Sequence, residues 1–126
     1  MSGAFPPAVV RAVFHDRDQG RCFRCGRGLH WGDRGLGWSA HHRAPRGAGG
    51  SRVAWVASAA NCLIVCGTGT TGCHGWIEAH RMEALEHGWL ILRNSIQRAD
   101  EVPALRHDGV LVVLTTTGLA LDAQPY

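Results

Sequence analysis

Apolar residues near the start of the chain recur every three or four positions, which is the spacing of one face of an amphipathic helix. The pattern runs from Pro7 to Asp18 and includes Val9, Val10, Val13 and Phe14. Proline is common in the first turn of a helix, and Gly20 follows as the expected stop. The sequence therefore predicts a short first helix over 7–18.

Two strands and a second helix are predicted in the middle of the chain. The first strand ends in the sequence HHR at 41–43, after a segment rich in Gly and Trp. The second covers Cys62 to Cys66, where alternation and branched side chains are typical of a strand. From Cys73 onwards the apolar spacing is again helical, with Gly88 as the stop, and includes Trp76, Ile77, His80, Ala84 and Leu85.

The last third of the chain predicts a small β extension. Strands are expected at Trp89–Leu92 and Val110–Thr115, with a loop containing Pro103 between them. Gly109 and Gly118 flank the second of these strands. The predicted order is helix, cysteine turn, strand, loop, strand, helix and β extension, which indicates the α+β class.

Length and composition are those of one domain spanning 1–126, because chains of this size form a single core. Hydrophobic residues make up 45% and charged residues 18%, which excludes a wholly disordered or collagen-like chain. No apolar run approaches the roughly 20 residues of a bilayer span, so no membrane partner is expected. The N-terminus lacks the features of a signal peptide, and we therefore expect a cytoplasmic protein.

Charge is distributed unevenly along the chain. Residues 1–58 contain nine Arg and three acidic residues, whereas residues 59–126 contain four Arg and seven acidic residues. The basic half is the part that a polyanion such as DNA would contact. The chain has no Lys. The planar guanidinium suits phosphate recognition, but a GC-rich coding sequence also replaces Lys with Arg, so both explanations stay open.

Five cysteines cannot all pair, and reduced cysteines at short spacing indicate metal ligands. Cys22 and Cys25 form a C-x2-C pair, and Cys66 and Cys73 enclose six residues rich in Gly and Thr. Four thiolates would form a tetrahedral structural zinc site. A redox role for the first pair is the alternative, which is disfavoured because Arg24 lies between the thiols and no thioredoxin-like strand precedes them.

Polar residues lie between and beside the cysteine pairs in a defined order. The motifs are C-x2-C at Cys22, HHRAPRGAGGS from His41, NCLIVC from Asn61 and GCHGWIEAHR from Gly72. With these motifs the chain resembles the HNH endonuclease family, the ββα-metal nucleases, in the version with a four-cysteine zinc knuckle found in actinobacteria and their phages. The resemblance implies a ββα-metal core over about 20–87, preceded by the N-terminal helix and followed by the β extension over 88–126.

The activity that the resemblance implies is metal-dependent hydrolysis of DNA. His42 matches the general base that takes a proton from the attacking water, and Asn61 matches the residue that orients it. His41 and His74 match the ligands of the catalytic ion, Mg²⁺ or Mn²⁺. Phage proteins of this kind often act beside the terminase, so a terminase in the host cytoplasm is a further expected partner.

Two pairs of adjacent residues constrain this interpretation. His41 and His42 would point to opposite faces of a regular strand, so they can serve one site only if the strand ends or bulges there. Cys73 and His74 diverge by roughly 100° at a helix start, because a helix has 3.6 residues per turn. One of them can then face the zinc and the other the catalytic site.

Several assignments stay open at this point. Glu78 lies four residues after His74 on the same helical face, where it is either a third ligand or a solvated residue. Cys62 either competes for the zinc or is a core residue, and the apolar position after Asn in the family favours the core. The active-site loop is flanked by three arginines that either contact the DNA backbone or are solvated, namely Arg43, Arg46 and Arg52.

A different class of function fits the same features. A zinc-stabilised DNA-binding module without catalysis would share the fold, the basic half and the cysteine site. Only the endonuclease needs the imidazole of His42 for its activity.

Overall fold

The computed structural model describes residues 3–46 and 53–123. The helices are α1 (Pro7–Ala12), α2 (Gly72–Ala79) and α3 (Arg81–Glu86). The strands are β1 (Trp38–His42), β2 (Cys62–Cys66), β3 (Ala104–Leu105), β4 (Leu111–Leu114) and β5 (Ala120–Asp122). Short 3-10 turns lie at Trp31–Asp33, Ala54–Ala57, Ala59–Asn61 and Ala99–Glu101.

The first helix is confirmed, with a change of hydrogen bonding in its second half. After α1 the chain continues as a π-helical turn over Val13–Arg17, where the Asp18 amide donates to the Val13 carbonyl at 2.8 Å. The helical stretch ends where Gln19 and Gly20 both take positive φ angles. Its apolar stripe is fully buried at Val10 and Val13, so the predicted face packs onto the core.

The centre of the fold is a two-stranded antiparallel sheet of β1 and β2. The register pairs His41 with Leu63 and His42 with Cys62. Every residue of β2 is buried because both faces of the strand are covered. One face packs with α1 and Trp38, and the other packs with α2, α3 and the segment that follows them. Both predicted central strands are confirmed.

The predicted second helix is divided into α2 and α3 at His80, whose backbone leaves the helical region at φ −124° and ψ 58°. The His80 ring stacks on Trp76 at a centroid distance of 4.2 Å, and its Nδ1 bonds to the Trp76 carbonyl at 2.9 Å. The carbonyl of Trp76 is therefore shared between the side chain and the backbone amide of His80. The stop at Gly88 is confirmed, and a Cβ there would collide with the Pro103 carbonyl.

The β extension differs in part from its prediction. The strand expected at Trp89–Leu92 is wrong, because this segment donates its amides to a helix end and a loop: Leu90 bonds to Ala84 and Ile91 to Arg43. The strand expected at Val110–Thr115 is confirmed as β4. It lies between β3 and β5 in an antiparallel sheet.

The fold is a small mixed α/β arrangement of short helices and two small sheets. Within the described ranges, no helix has both the length and the apolar character needed to cross a bilayer.

Candidate metal centres

The four predicted cysteine ligands come together in one cluster. One sulfur from each residue lies within 4.8 Å of the other three, and the Sγ atoms of Cys25 and Cys66 are 3.9 Å apart. Tetrahedral zinc with Zn–S bonds near 2.3 Å separates its sulfurs by about 3.8 Å. The cluster is Cys22, Cys25, Cys66 and Cys73, and it could hold a structural metal such as zinc.

Backbone amides support the sulfurs of this cluster. The Cys66 amide donates to the Sγ of Cys22, and the Cys73 amide donates to the Sγ of Cys66, each at 3.3 Å. The six residues between the last two cysteines form a turn in which the Thr68 amide donates to the Thr71 hydroxyl at 2.9 Å. A Cβ at Gly67 would collide with the Thr71 carbonyl, so this close return of the chain needs glycine there.

The pKa of the Cys22 thiol lies well above its ordinary value. The first cause is a hydrogen bond with the thiol of Cys73, and the second is burial. A coordinated divalent cation reverses this balance, because it stabilises thiolates that the protein interior alone disfavours. The donor set and its spacing therefore fit a tightly held cation.

A second cluster contains the two histidines expected to bind the catalytic ion. His41 at the end of β1 and His74 in the first turn of α2 lie with Glu78 so that one donor atom of each is within 4.8 Å of the others. The Glu78 Oε2 atom is 3.9 Å from Nδ1 of His41 and 4.0 Å from Nε2 of His74. Glu78, which the sequence left between ligand and solvated residue, belongs to this cluster.

Hydrogen bonds fix which nitrogen of each ring faces Glu78. Nε2–H of His41 donates to the Trp89 carbonyl at 2.8 Å, so Nδ1 carries the lone pair. The hydroxyl of Ser39 donates to the Gly67 carbonyl at 2.8 Å and therefore accepts from Nδ1–H of His74 at 2.7 Å. Nε2 of His74 is left with its lone pair. Such outer partners hold metal-binding imidazoles in one tautomer.

Both imidazoles of this cluster are kept neutral by burial. Burial lowers the pKa of His41 to about 3, against the raising effect of its bond to the Trp89 carbonyl. Burial also lowers the pKa of His74, against the nearby charge of Glu78. Neutral imidazole is the form that binds a metal ion, so the donor set is prepared at neutral pH.

His42 lies at the same cleft, although its ring leaves the strand on the other face. The pairing of β1 with β2 stays regular through His42, so the two adjacent imidazoles diverge as expected, and both border the cleft because the strand ends there. The cleft has a volume of about 280 Å³ and is open to solvent. It is lined by Ala40, His41, His42, Pro45, Arg46, His74 and Glu78.

The N-terminal segment holds the ring of His42. Phe5 stacks on it with centroids 3.8 Å apart and an interplanar angle of 11°. Nε2–H of His42 donates to the Gly3 carbonyl at 2.8 Å, which leaves the lone pair on Nδ1. Burial lowers the pKa of His42, so its neutral form predominates at neutral pH.

Asn61 is fully buried and joins the chain after His42 to the start of β2. Its Oδ1 accepts from the Ala44 amide at 2.8 Å, and its Nδ2 donates to the carbonyls of Ala44 at 3.0 Å and Val56 at 2.9 Å. All three bonds go to backbone atoms of Ala44 and Val56, so Asn61 fixes the path of the chain that leaves the cleft.

The three arginines expected at the DNA backbone have different positions. Arg43 is fully buried, and its guanidinium donates to four carbonyls, those of Ala60, Gly88, Ala99 and Val102. The expectation that Arg43 contacts DNA is therefore corrected, because these four bonds occupy the group inside the protein. Arg46 is exposed and lines the cleft. Arg52 lies outside the described residues.

The fifth cysteine is separate from the sulfur cluster. Cys62 is fully buried and packs with Ile64, Trp38 and the apolar face of the first helix. It therefore has the core role that the sequence favoured. Two contributors were missed at the sequence level, the Ser39 hydroxyl and the Trp89 carbonyl, because each lies 35 residues or more from the histidine that it orients.

Fold and site together define a small mixed α/β protein with a four-cysteine cluster and a neighbouring cluster of two histidines and a glutamate. Comparisons of the chain with protein-family models, with curated proteins and with solved structures found no match.

Proposed function

We propose that the protein is a metal-dependent DNA endonuclease of the HNH type, in which β1, β2 and α2 form the ββα-metal core. The observation that carries the proposal is the convergence of three donor atoms on one point beside a separate, neutral imidazole. His41, His74 and Glu78 supply the donors, and His42 borders the same open cleft. This is the arrangement that phosphodiester hydrolysis requires: a site for a divalent ion and a base for water.

In the proposed mechanism each cluster has one role. The cysteine cluster holds structural zinc and thereby fixes the first turn of α2, which carries His74. The histidine cluster holds the catalytic ion, Mg²⁺ or Mn²⁺, which when bound neutralises charge that develops on the phosphate and its leaving oxygen. His42 accepts the proton of the attacking water at Nδ1, because Nε2 is committed to the Gly3 carbonyl.

Arg46 and the uneven distribution of arginine along the chain support an anionic substrate. Arg46 is exposed at its edge, and most of the arginines lie in the first half of the chain, which also supplies His41 and His42. Contacts of such residues with phosphate provide affinity without reading the sequence. We therefore propose DNA as the substrate, and processing of packaged phage DNA beside a terminase as the setting.

Supercoiled plasmid incubated with Mg²⁺ or Mn²⁺ tests the proposal. The wild-type protein should convert it to nicked or linear forms, and His42→Ala should lower the rate at least about a hundredfold, the usual contribution of a general base. His30→Ala is the matched control, because His30 is exposed and lies outside the cleft. Zinc content and DNA affinity should stay unchanged in both variants.

Two outcomes would contradict the endonuclease. Cleavage by His42→Ala at the wild-type rate would remove His42 as the base. A wild-type protein that binds DNA but cuts it with no divalent ion would instead be a zinc-stabilised DNA-binding module.

A further inference from the structure

Arg24, inside the C-x2-C pair, has an unusual set of contacts. Its Nη1 donates to the Sγ of Cys73 at 3.3 Å. The guanidinium carbon lies 3.9 Å from the ring centroid of Trp76 and 5.0 Å from that of Trp89. Its Nε is buried and has no hydrogen-bond partner in the described part of the chain. The side chain is therefore held in one place by two indoles and a sulfur.

Arg24 forms no ion pair with a carboxylate of the described residues. Among residues 3–46 and 53–123, the ion pairs of arginine involve Arg17, Arg81, Arg98 and Arg106, and none involves Arg24. A cation on an aromatic face is stabilised but keeps its full charge. The anionic group in contact with Arg24 would be the cysteine cluster with zinc bound, because four thiolates around Zn²⁺ carry a net charge of −2.

We infer that Arg24 is the built-in counter-cation of the cysteine cluster, and that its hydrogen bond to Cys73 slows the release of the metal. This inference rests on the zinc site of the proposed function. A cationic donor that bonds to a coordinated sulfur removes electron density from that sulfur and makes the net charge of the metal centre less negative. Outer partners of this kind change metal affinity by about 10–100-fold.

The indoles give the contact its selectivity for arginine. A planar guanidinium can stack on Trp76 while it directs an N–H at a sulfur, whereas an ammonium group cannot do both with the same geometry. Trp76 lies one turn after Cys73 on α2, so the same helix carries the indole and the sulfur that Arg24 contacts. Trp89 is also the residue whose carbonyl orients His41.

The test compares metal release from zinc-loaded full-length variants. Arg24→Met keeps an apolar side chain against the indoles but removes the charge and the donors, and it should transfer zinc to a chromogenic chelator at least about tenfold faster than wild type. Arg24→Lys should be intermediate. Arg27→Met is the matched control, since Arg27 lies in the same turn but is exposed, and its rate should equal that of wild type.

Cobalt substitution provides a readout that a general loss of stability would not move. In Co²⁺-loaded Arg24→Met, the sulfur-to-metal charge-transfer band should shift to longer wavelength, because a sulfur without its hydrogen bond donates electrons more easily. If Arg24→Met does not fold, the wavelength of the same band in Arg24→Lys, compared with that of the wild type, tests the role of Arg24.

The outcomes separate the inference from the proposal beneath it. Equal release rates and identical cobalt bands in Arg24→Met and Arg27→Met would overturn the role of Arg24 and leave the zinc site intact. A wild-type chain that binds neither zinc nor cobalt would overturn both.

Discussion

The rings of Phe5 and His42 are stacked nearly parallel, with centroids 3.8 Å apart, although the two residues are 37 positions apart in the sequence. This contact brings the N-terminal segment over the imidazole that we propose as the base. The Gly3 carbonyl completes the arrangement by accepting from Nε2–H. One side chain and one carbonyl of the same short segment therefore set both the plane and the tautomer of His42.

Phe5→Ala should remove the ring that holds the imidazole of His42, the proposed base, in place. We expect nicking at saturating Mn²⁺ to fall at least about tenfold, because a small displacement of a reacting group is costly. The free energy of unfolding should fall by about 3 kcal/mol, since Phe5 is nearly buried. Phe5→Tyr keeps the ring and should retain most of the activity. Wild-type nicking by Phe5→Ala, measured well below its unfolding temperature, would contradict this role.

Glu78→Gln tests whether Glu78 is the third ligand that we propose for the histidine cluster. The amide keeps the shape of the side chain but loses its charge, so the affinity for Mn²⁺ measured by electron paramagnetic resonance should fall at least about tenfold. Nicking should then require correspondingly more Mn²⁺. Glu83→Gln, an exposed position on α3, is the control. Zinc content should stay the same in both variants. An Mn²⁺ titration of Glu78→Gln that matches the wild type would show that Glu78 is a solvated residue and not a ligand.

Substitution of Arg43 should lower the stability of the protein, whereas substitution of Arg46 should weaken its binding to DNA. Arg43→Met removes the donor to four backbone carbonyls, and we expect a loss of about 3–5 kcal/mol in urea unfolding. Arg46→Gln should change stability by less than about 0.5 kcal/mol. It should instead weaken DNA binding and reduce the salt slope by about one ion. Normal stability of Arg43→Met would refute the structural role.

The thiol of Cys62 should be inert in the folded protein. Burial raises its pKa to about 12, so at pH 8 almost none of it is thiolate. Alkylation mapped by mass spectrometry should therefore label Cys62 only after denaturation. Cys62→Val should still bind one zinc per chain, whereas Cys66→Ala should not. Zinc loss in Cys62→Val would show that the fifth cysteine is a ligand after all.

Local patterns predicted the parts of the site that depend on neighbouring residues. The C-x2-C pair, the alternation of β2 and the spacing of His74 and Glu78 are all local, and the structure brings these residues into two clusters. Arg43 could not be placed in the same way. Its four acceptors lie 17 to 59 residues away, so an arginine in a polar segment predicted a surface position.

Elements whose ends depend on tertiary contacts were also predicted incompletely. The helical spacing continues through His80, but the backbone leaves the helical region there, and the His80 ring stacks on Trp76, whose indole also contacts Arg24 from the cysteine turn. Trp89–Leu92 has the composition of a strand, but its amides bond to Ala84 and Arg43, and it pairs with no neighbouring strand within the described residues.

The adjacency of Cys73 and His74 in the first turn of α2 has a consequence for the proposed enzyme under oxidative stress. Peroxide that converts the thiolates to disulfides would expel the structural ion and release that turn. The neighbouring imidazole would then leave its partners, and hydrolysis would stop without chemical damage to any histidine. Reduction in the presence of zinc would restore the activity. Oxidation of the cysteine cluster would therefore inactivate the proposed endonuclease reversibly.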